Sequence, residues 1–217
     1  MLKVFEKEMR RLEREMLTLS ALVEESVMLS IQAVRERNGV LAEQILARDR
    51  EIDEREVQLE EECLKIMALH QPVASDLRIL VAVLKINNDL ERVGDLAVTI
   101  GRCALRLGAL PPVTLPPELR DLAAGAMELF GRSLDCFTRV DVGTAREIRD
   151  GDRSVDSMCD RICRGINEMV RTHPDQAEQA MNLFRIARSL ERIGDHAKNI
   201  AEDVIYMTEG GIVRHRH

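Results

Sequence analysis

The sequence predicts an all-α protein of two tandem antiparallel three-helix bundles, six long helices in all, with an internal pseudo-two-fold repeat. Three observations lead there. Leu84 to Ile100, LKINNDLERVGDLAVTI, returns one hundred residues later as Phe184 to Ile200, FRIARSLERIGDHAKNI, with eight of seventeen aligned positions identical. In both copies apolar residues recur at alternating steps of three and four: Val83, Ile86, Leu90, Val93, Ala97, Ile100 and Ala104, then Leu183, Ile186, Leu190, Ile193, Ala197, Ile200 and Val204. That is the register of a helix packing in a bundle. Finally, 45% of the 217 residues are apolar but only four are Phe, one is Tyr and none is Trp, so the core is built from Leu, Ile, Val, Ala and Met. With Gly and Pro confined mainly to junctions, helix is the expected class throughout.

The first helix is expected over about 4–37, with Phe5, Met9, Leu12, Met16, Leu19 and Val23 on one face and Asn38-Gly39 as its stop. The second runs from Val40 to about Leu69 with Leu41, Ile45, Ile52, Leu59, Cys63 and Ile66 inward, and Gln71-Pro72 ends it. The third runs from Ser75 to Gly108. GALPPVTLPPE, residues 108–118, carries four prolines and cannot continue a helix, so it separates a first repeat, 1–109, from a second, 110–217. The fourth helix spans about 117–140. Thr144 with Glu147 reads as a capping box opening the fifth, which runs to Arg171, and Asp175 with Glu178 as one opening the sixth, which runs to Met207. An offset of 103 sets Ile52, Leu59, Cys63 and Ile66 against Val155, Ile162, Ile166 and Met169, and Asp49 and Asp53 against Asp152 and Asp156. The whole three-helix unit is duplicated.

Charge excludes several functions. The net charge of −7 is spread along the helices, which disfavours a nucleic-acid groove, since that needs a concentrated positive footprint. No long uncharged run suggests a spanning helix and the charged N-terminus lacks a secretory pattern, so a soluble cytoplasmic protein is expected. Cys63, Cys103, Cys136, Cys159 and Cys163 sit within apolar helical patterns and read as reduced core residues; Cys159 and Cys163 are one turn apart, but no second close pair accompanies them. No nucleophile stands near a His base and no Gly-rich phosphate loop follows a strand, so catalysis is not expected.

What carries chemistry is acidic. Glu91 and Asp95 lie well away from the centre of the apolar seam, as do Glu191 and Asp195, and acids one turn apart repel by a few tenths of a kcal/mol, about 0.2–0.5. Asp49 with Asp53, and Asp152 with Asp156, repeat this spacing on the shoulder of the preceding helix. If the helices adjoin there, four carboxylates converge per half, a ligand set for hard cations such as Mg²⁺, Mn²⁺ and iron; Zn²⁺ fits less well. The bland reading is a solvated acidic face neutralised by Arg50, Arg92, Arg153 and Arg192. Repetition of both pairs at matching phase favours cation binding. Asn88 and Asp89 in the first half, and Asn199 and Glu202 in the second, are candidates for additional ligands. His196, opposite Leu96, reads as a surface or shoulder histidine, and His70 and His173 compensate helix C-termini. Gly94 and Gly194 imply close helix approach or room for ligands.

The doubled LER-[VI]-GD motif, the acidic pairs that precede it, QPVASDLR at 71–78 and EDVIYMTEG at 202–210 closely resemble the PhoU family of phosphate-transport regulators over essentially the full chain. The resemblance implies paired three-helix bundles whose [ED]-x-x-x-D motifs bind multinuclear clusters of iron or other metals, Mn, Mg or Zn among them. It carries the metal-cluster motifs onto Asp49, Asp53, Glu91 and Asp95, and onto Asp152, Asp156, Glu191 and Asp195. It further implies a negative regulator of the phosphate-starvation response and of high-affinity phosphate uptake, coupling the cytoplasmic ATPase of the phosphate ABC transporter to a phosphate-sensing histidine kinase. Such a protein is cytoplasmic, is recruited peripherally to the inner face of the membrane, has homodimerisation open to it, and neither binds nucleic acid nor inserts in the bilayer. Thr99 stands opposite Asn199 where many family members carry Asn twice, which weakens residue 99 as a ligand. The alternative is a metal-storage or di-metal oxidoreductase bundle, but that needs Glu-x-x-His pairs inside a four-helix core.

Overall fold

Both seams are buried along their whole length, from Val83 to Ala104 and from Leu183 to Val204. The structure, a computed structural model, describes residues 2–151 and 154–210. Among these the chain forms α1 (Leu2–Glu36), α2 (Gly39–His70), α3 (Ala74–Ala109), α4 (Glu118–Arg139), α5 (Val142–Gly151), α6 (Ser154–Thr172) and α7 (Ala177–Glu209), with a 3-10 turn at Pro174–Gln176. α1, α2 and α3 make one bundle; α4 and α7 pack with α5 and α6, which together occupy the run expected as a fifth helix, to make the other. The all-α architecture of two three-helix-bundle-like halves is as the periodicity requires.

The seam helices do more than hold their own halves. α3 and α7 pack on each other more extensively than on any other helix, so one aliphatic core runs through the molecule. The joint between them is partly polar: Lys85 Nζ on α3 lies 3.1 Å from the buried Asp203 Oδ1 on α7 and 4.5 Å above the Tyr206 ring. Gly94 marks the closer of two matching approaches. A Cβ at Gly94 would lie 3.2 Å from Ile52 on α2, and one at Gly194 would lie 3.4 Å from Val155 on α6. Ile52 and Val155 are themselves 103 apart, so the two helix pairs meet in the same register.

Several helix ends differ from expectation. Asn38 opens α2 as well as closing α1: its Oδ1 accepts from the amides of Val40 and Leu41 at 3.1 and 3.3 Å, while its own amide donates to the Ala33 carbonyl at 3.0 Å. The residue in the left-handed region there is Arg37, φ 51°, whose guanidinium donates to the Leu107 and Leu110 carbonyls and so caps the end of α3 from a neighbouring helix. α5 is capped by Asp141, which accepts from the Thr144 amide at 3.1 Å, while Glu147 turns away to pair with Arg132 at 2.8 Å. The Thr144–Glu147 box therefore does not form, because a better-placed acceptor stands three residues upstream. Nor does Asp175–Glu178: Pro174 starts a 3-10 turn, and α7 begins at Ala177 without a side-chain cap. His70 reaches across to Glu8, Nε2 to Oε2 2.6 Å, and meets Phe5 edge-on, tying α1 to the end of α2.

α1, over Lys3–Glu36, is long and apolar enough by length and composition to cross a bilayer. Its apolar stripe, Leu12, Met16, Leu19, Val23 and Val27, is buried in the helical core, which is what a core helix requires of the same residues.

Candidate functional site

Gly94 brings α2 and α3 close enough for their acidic edges to meet. Asp49 is half-buried and its carboxyl is pushed up, first by loss of water, then by Asp53 and by Asp95 across the helix pair, against the pull of Arg102. Glu91 is likewise raised, by burial and then Asp95, with Arg92 opposing and Asp53 and Glu56 adding to the repulsion. Asp49, Asp53, Glu91 and Asp95 are thus brought into one electrostatic field. Arg92, on the same helix, is the nearest cation, 3.3 Å from Glu91 and 3.7 Å from Asp95.

Glu56 belongs to this patch although sequence reasoning passed over it. Its carboxyl is raised by burial, Glu60 and Asp53, and Asn87, buried on α3, donates to its backbone carbonyl at 2.9 Å. The signal was present: Asp49, Asp53, Glu56 and Glu60 follow steps of four, three and four along one helix face.

The second patch is built differently. Glu191 is raised by burial, opposed by Arg188, with Asp195, Asp156 and Asp160 adding repulsion, so the acids of α6 and α7 again converge. Asp160 was not anticipated, and Asp152 lies outside the described residues. Here a lysine intervenes. Lys198 Nζ lies 3.5 Å from Asp156 and 3.7 Å from Asp195, and Arg188 is 3.2 Å from Glu191. Among the described residues no three His, Cys, Asp or Glu side chains are already drawn together tightly enough to hold an ion.

The additional candidates disperse. Asn88 is exposed on α3. Asp89, 4% exposed, turns into the joint between α3 and α7, where its Oδ1 lies 2.7 Å from His196 Nδ1 and accepts from Asn199 Nδ2 at 3.2 Å. Asp89 and Asn199 therefore meet, but in the interface between halves and not beside the carboxylates. His196 is an interface residue, not a shoulder histidine. Glu202 is half-buried on α7, with its charge reaching Arg149 of α5.

Burial pushes up the thiols of all five cysteines, those of Cys63, Cys136 and Cys159 to about 12. These are not nucleophiles poised for chemistry.

The comparisons agree with this duplicated arrangement. The PhoU domain matches residues 16–104 and again 119–204. The phosphate-specific transport system accessory protein PhoU homolog of Pseudomonas aeruginosa is 35% identical over 214 residues, covering 97% of this chain and 88% of that protein. Its counterpart in Aquifex aeolicus is 34% identical over 216 residues, covering 100% of this chain and 97% of that protein. The crystal structure of PhoU from Pseudomonas aeruginosa superposes with a TM-score of 0.90 at 33% identity, over 95% of this chain and 100% of that one. That of the phosphate transport system regulatory protein PhoU from Streptococcus pneumoniae gives 0.88 at 25% identity, over 96% and 99%.

Proposed function

This chain belongs to the PhoU family, and on that premise we propose that it is a cytoplasmic negative regulator of the phosphate-starvation response and of high-affinity phosphate uptake. It is a regulatory protein in phosphate homeostasis and not an enzyme. The observation that carries this reading is that the family match runs through both repeats of one continuous fold, end to end with relatives named as accessory proteins of a phosphate-specific transport system. In this reading the partners are the cytoplasmic ATPase of that transporter and a phosphate-sensing histidine kinase. A doubled bundle offers two similar helical faces, which suits a symmetric transporter or a dimeric kinase.

The carboxylate patches fit a supporting role for hard cations, iron foremost. The first patch supplies oxygen donors from two helices and holds them at a cost: Asp49, Glu56 and Glu91 are each raised by their neighbours' charge as well as by burial, strain that a cation would relieve. The second offers the same donor type, but Lys198 already neutralises part of it.

Deleting the protein should leave phosphate-starvation genes on in phosphate-rich medium, and pull-downs from membranes should recover the transporter ATPase and the kinase. Unchanged expression together with recovery of neither partner would overturn the regulatory reading in favour of metal handling.

A further inference from the structure

The offset that sets Ile52 against Val155 also sets Glu56 against Cys159 and Glu60 against Cys163. The structure bears out the equivalence. Glu56 lies in the field of Glu91, and Glu191 in turn reaches both Cys159 and Cys163. Glu56 meets α3 at Asn87, and Cys159 meets α7 at the matching residue, its Sγ 3.5 Å from the Ala187 carbonyl. Where the first half presents two oxygen donors, the second presents two sulfur donors in the same register.

The sulfurs are 3.9 Å apart. A disulfide needs about 2.0 Å, so this is a dithiol. Two thiolates each about 2.3 Å from a tetrahedral zinc ion stand about 3.8 Å apart, so the pair already forms one edge of such a site. Cys159 is buried against α7 while Cys163, one turn on, is partly exposed, which leaves an ion a path from solvent. The Arg188 guanidinium, at the position of Asn88 in the first half, lies beside Cys159 and favours its thiolate.

We propose that Cys159 and Cys163 form a binding site for a soft divalent cation of the zinc or cadmium type, with water completing the coordination. Binding replaces two S–H bonds by two metal–sulfur bonds and releases two protons to solvent, with no change of oxidation state. Because both sulfurs ligate as thiolates, the cation must displace their protons and uptake weakens as pH falls. The site stands independently of the regulatory reading and of any hard cation on the first patch.

The test is titration of the fully reduced full-length chain with Cd²⁺, followed by the sulfur-to-cadmium charge-transfer absorption. One equivalent should develop the band. Cys163→Ser and Cys159→Ser should each lose it, Cys103→Ser should keep it, and a variant with Asp49, Asp53, Glu91 and Asp95 all replaced by their amides should also keep it. Circular dichroism of Cys163→Ser, a change at a partly exposed position, separates loss of the ligand from loss of the fold. A band undiminished in folded Cys163→Ser, or no band at stoichiometric Cd²⁺ in the reduced parent, overturns the assignment.

Discussion

Lys198 Nζ lies 3.5 Å from Asp156 Oδ2, joining α7 to α6 across the second carboxylate patch, and the matching residue in the first half is the buried Val98. An ammonium group thus holds in one half the place that a cation would take in the other. The two patches, similar as patterns of acids, are electrostatically unlike.

The first prediction is an order of affinities. Mn²⁺ followed by calorimetry should bind the first patch more tightly than the second, and Lys198→Met should strengthen the second without altering the first. Replacement of Glu91 and Asp95 by Ala should remove the tighter event. Identical isotherms for the parent and Lys198→Met would contradict the competition between lysine and metal.

A second prediction concerns pH. Asp49, Glu56, Glu91 and Glu191 all have folded pKa values above their ordinary ones, so the folded chain binds protons more readily than the unfolded chain. Their contribution to stability is therefore most favourable below their unfolded values and is lost as pH rises through the window up to the folded values. Glu91→Gln should raise the Tm of the metal-free protein at neutral pH and flatten this dependence. It should also reduce the rise in Tm on adding Mn²⁺, an effect worth about 2.7 kcal/mol at one hundred times Kd in the parent. Thermal melts across pH, with and without Mn²⁺, measure both effects. A lower metal-free Tm for Glu91→Gln would refute the repulsion argument.

The joint between halves supplies a third. Asp89→Ala would leave His196 and Asn199 without their shared acceptor in a buried setting, at a cost of about 1–3 kcal/mol. Asp89→Asn retains an acceptor oxygen and should cost less. Urea unfolding should show this order; equal midpoints for Asp89→Ala and the parent would mean that the cluster does not hold α3 to α7.

The repeated glycines should not respond alike. At Gly94 a methyl would crowd Ile52 at 3.2 and 3.3 Å, whereas at Gly194 it would meet Val155 at 3.4 Å, ordinary contact. Ala in a helix interior is favoured over Gly by about 1 kcal/mol, and overpacking costs about 1–3 kcal/mol. Gly194→Ala should therefore be neutral or stabilising and Gly94→Ala destabilising, as read from urea midpoints. The reverse order would count against the closer approach of α2 to α3.

By itself the sequence determined the class of the fold, the duplication and which acids stand off the seam. Helical periodicity records which face of each segment is buried, and Leu90 and Leu190 obey it without exception, as do their neighbours along both seams. The same periodicity placed Glu91 and Asp95 off the seam, and the 103-residue offset matched Asp49 and Asp53 to Asp152 and Asp156, but that the two pairs of a half converge was conditional on the helices adjoining there. Tertiary structure alone decided what those acids face. A helical pattern gives the direction of a side chain about its own axis but not the neighbour waiting there, so the Lys198 bridge, the burial of Asp89 against His196 and the dominance of the α3–α7 contact were not legible. Competition between local caps was hidden for the same reason. Asp141 and Thr144 each satisfy the preference for a capping residue, and only the path of the chain out of α4, through Val140 in the left-handed region at φ 52°, puts the Asp141 carboxylate over the free amides of α5.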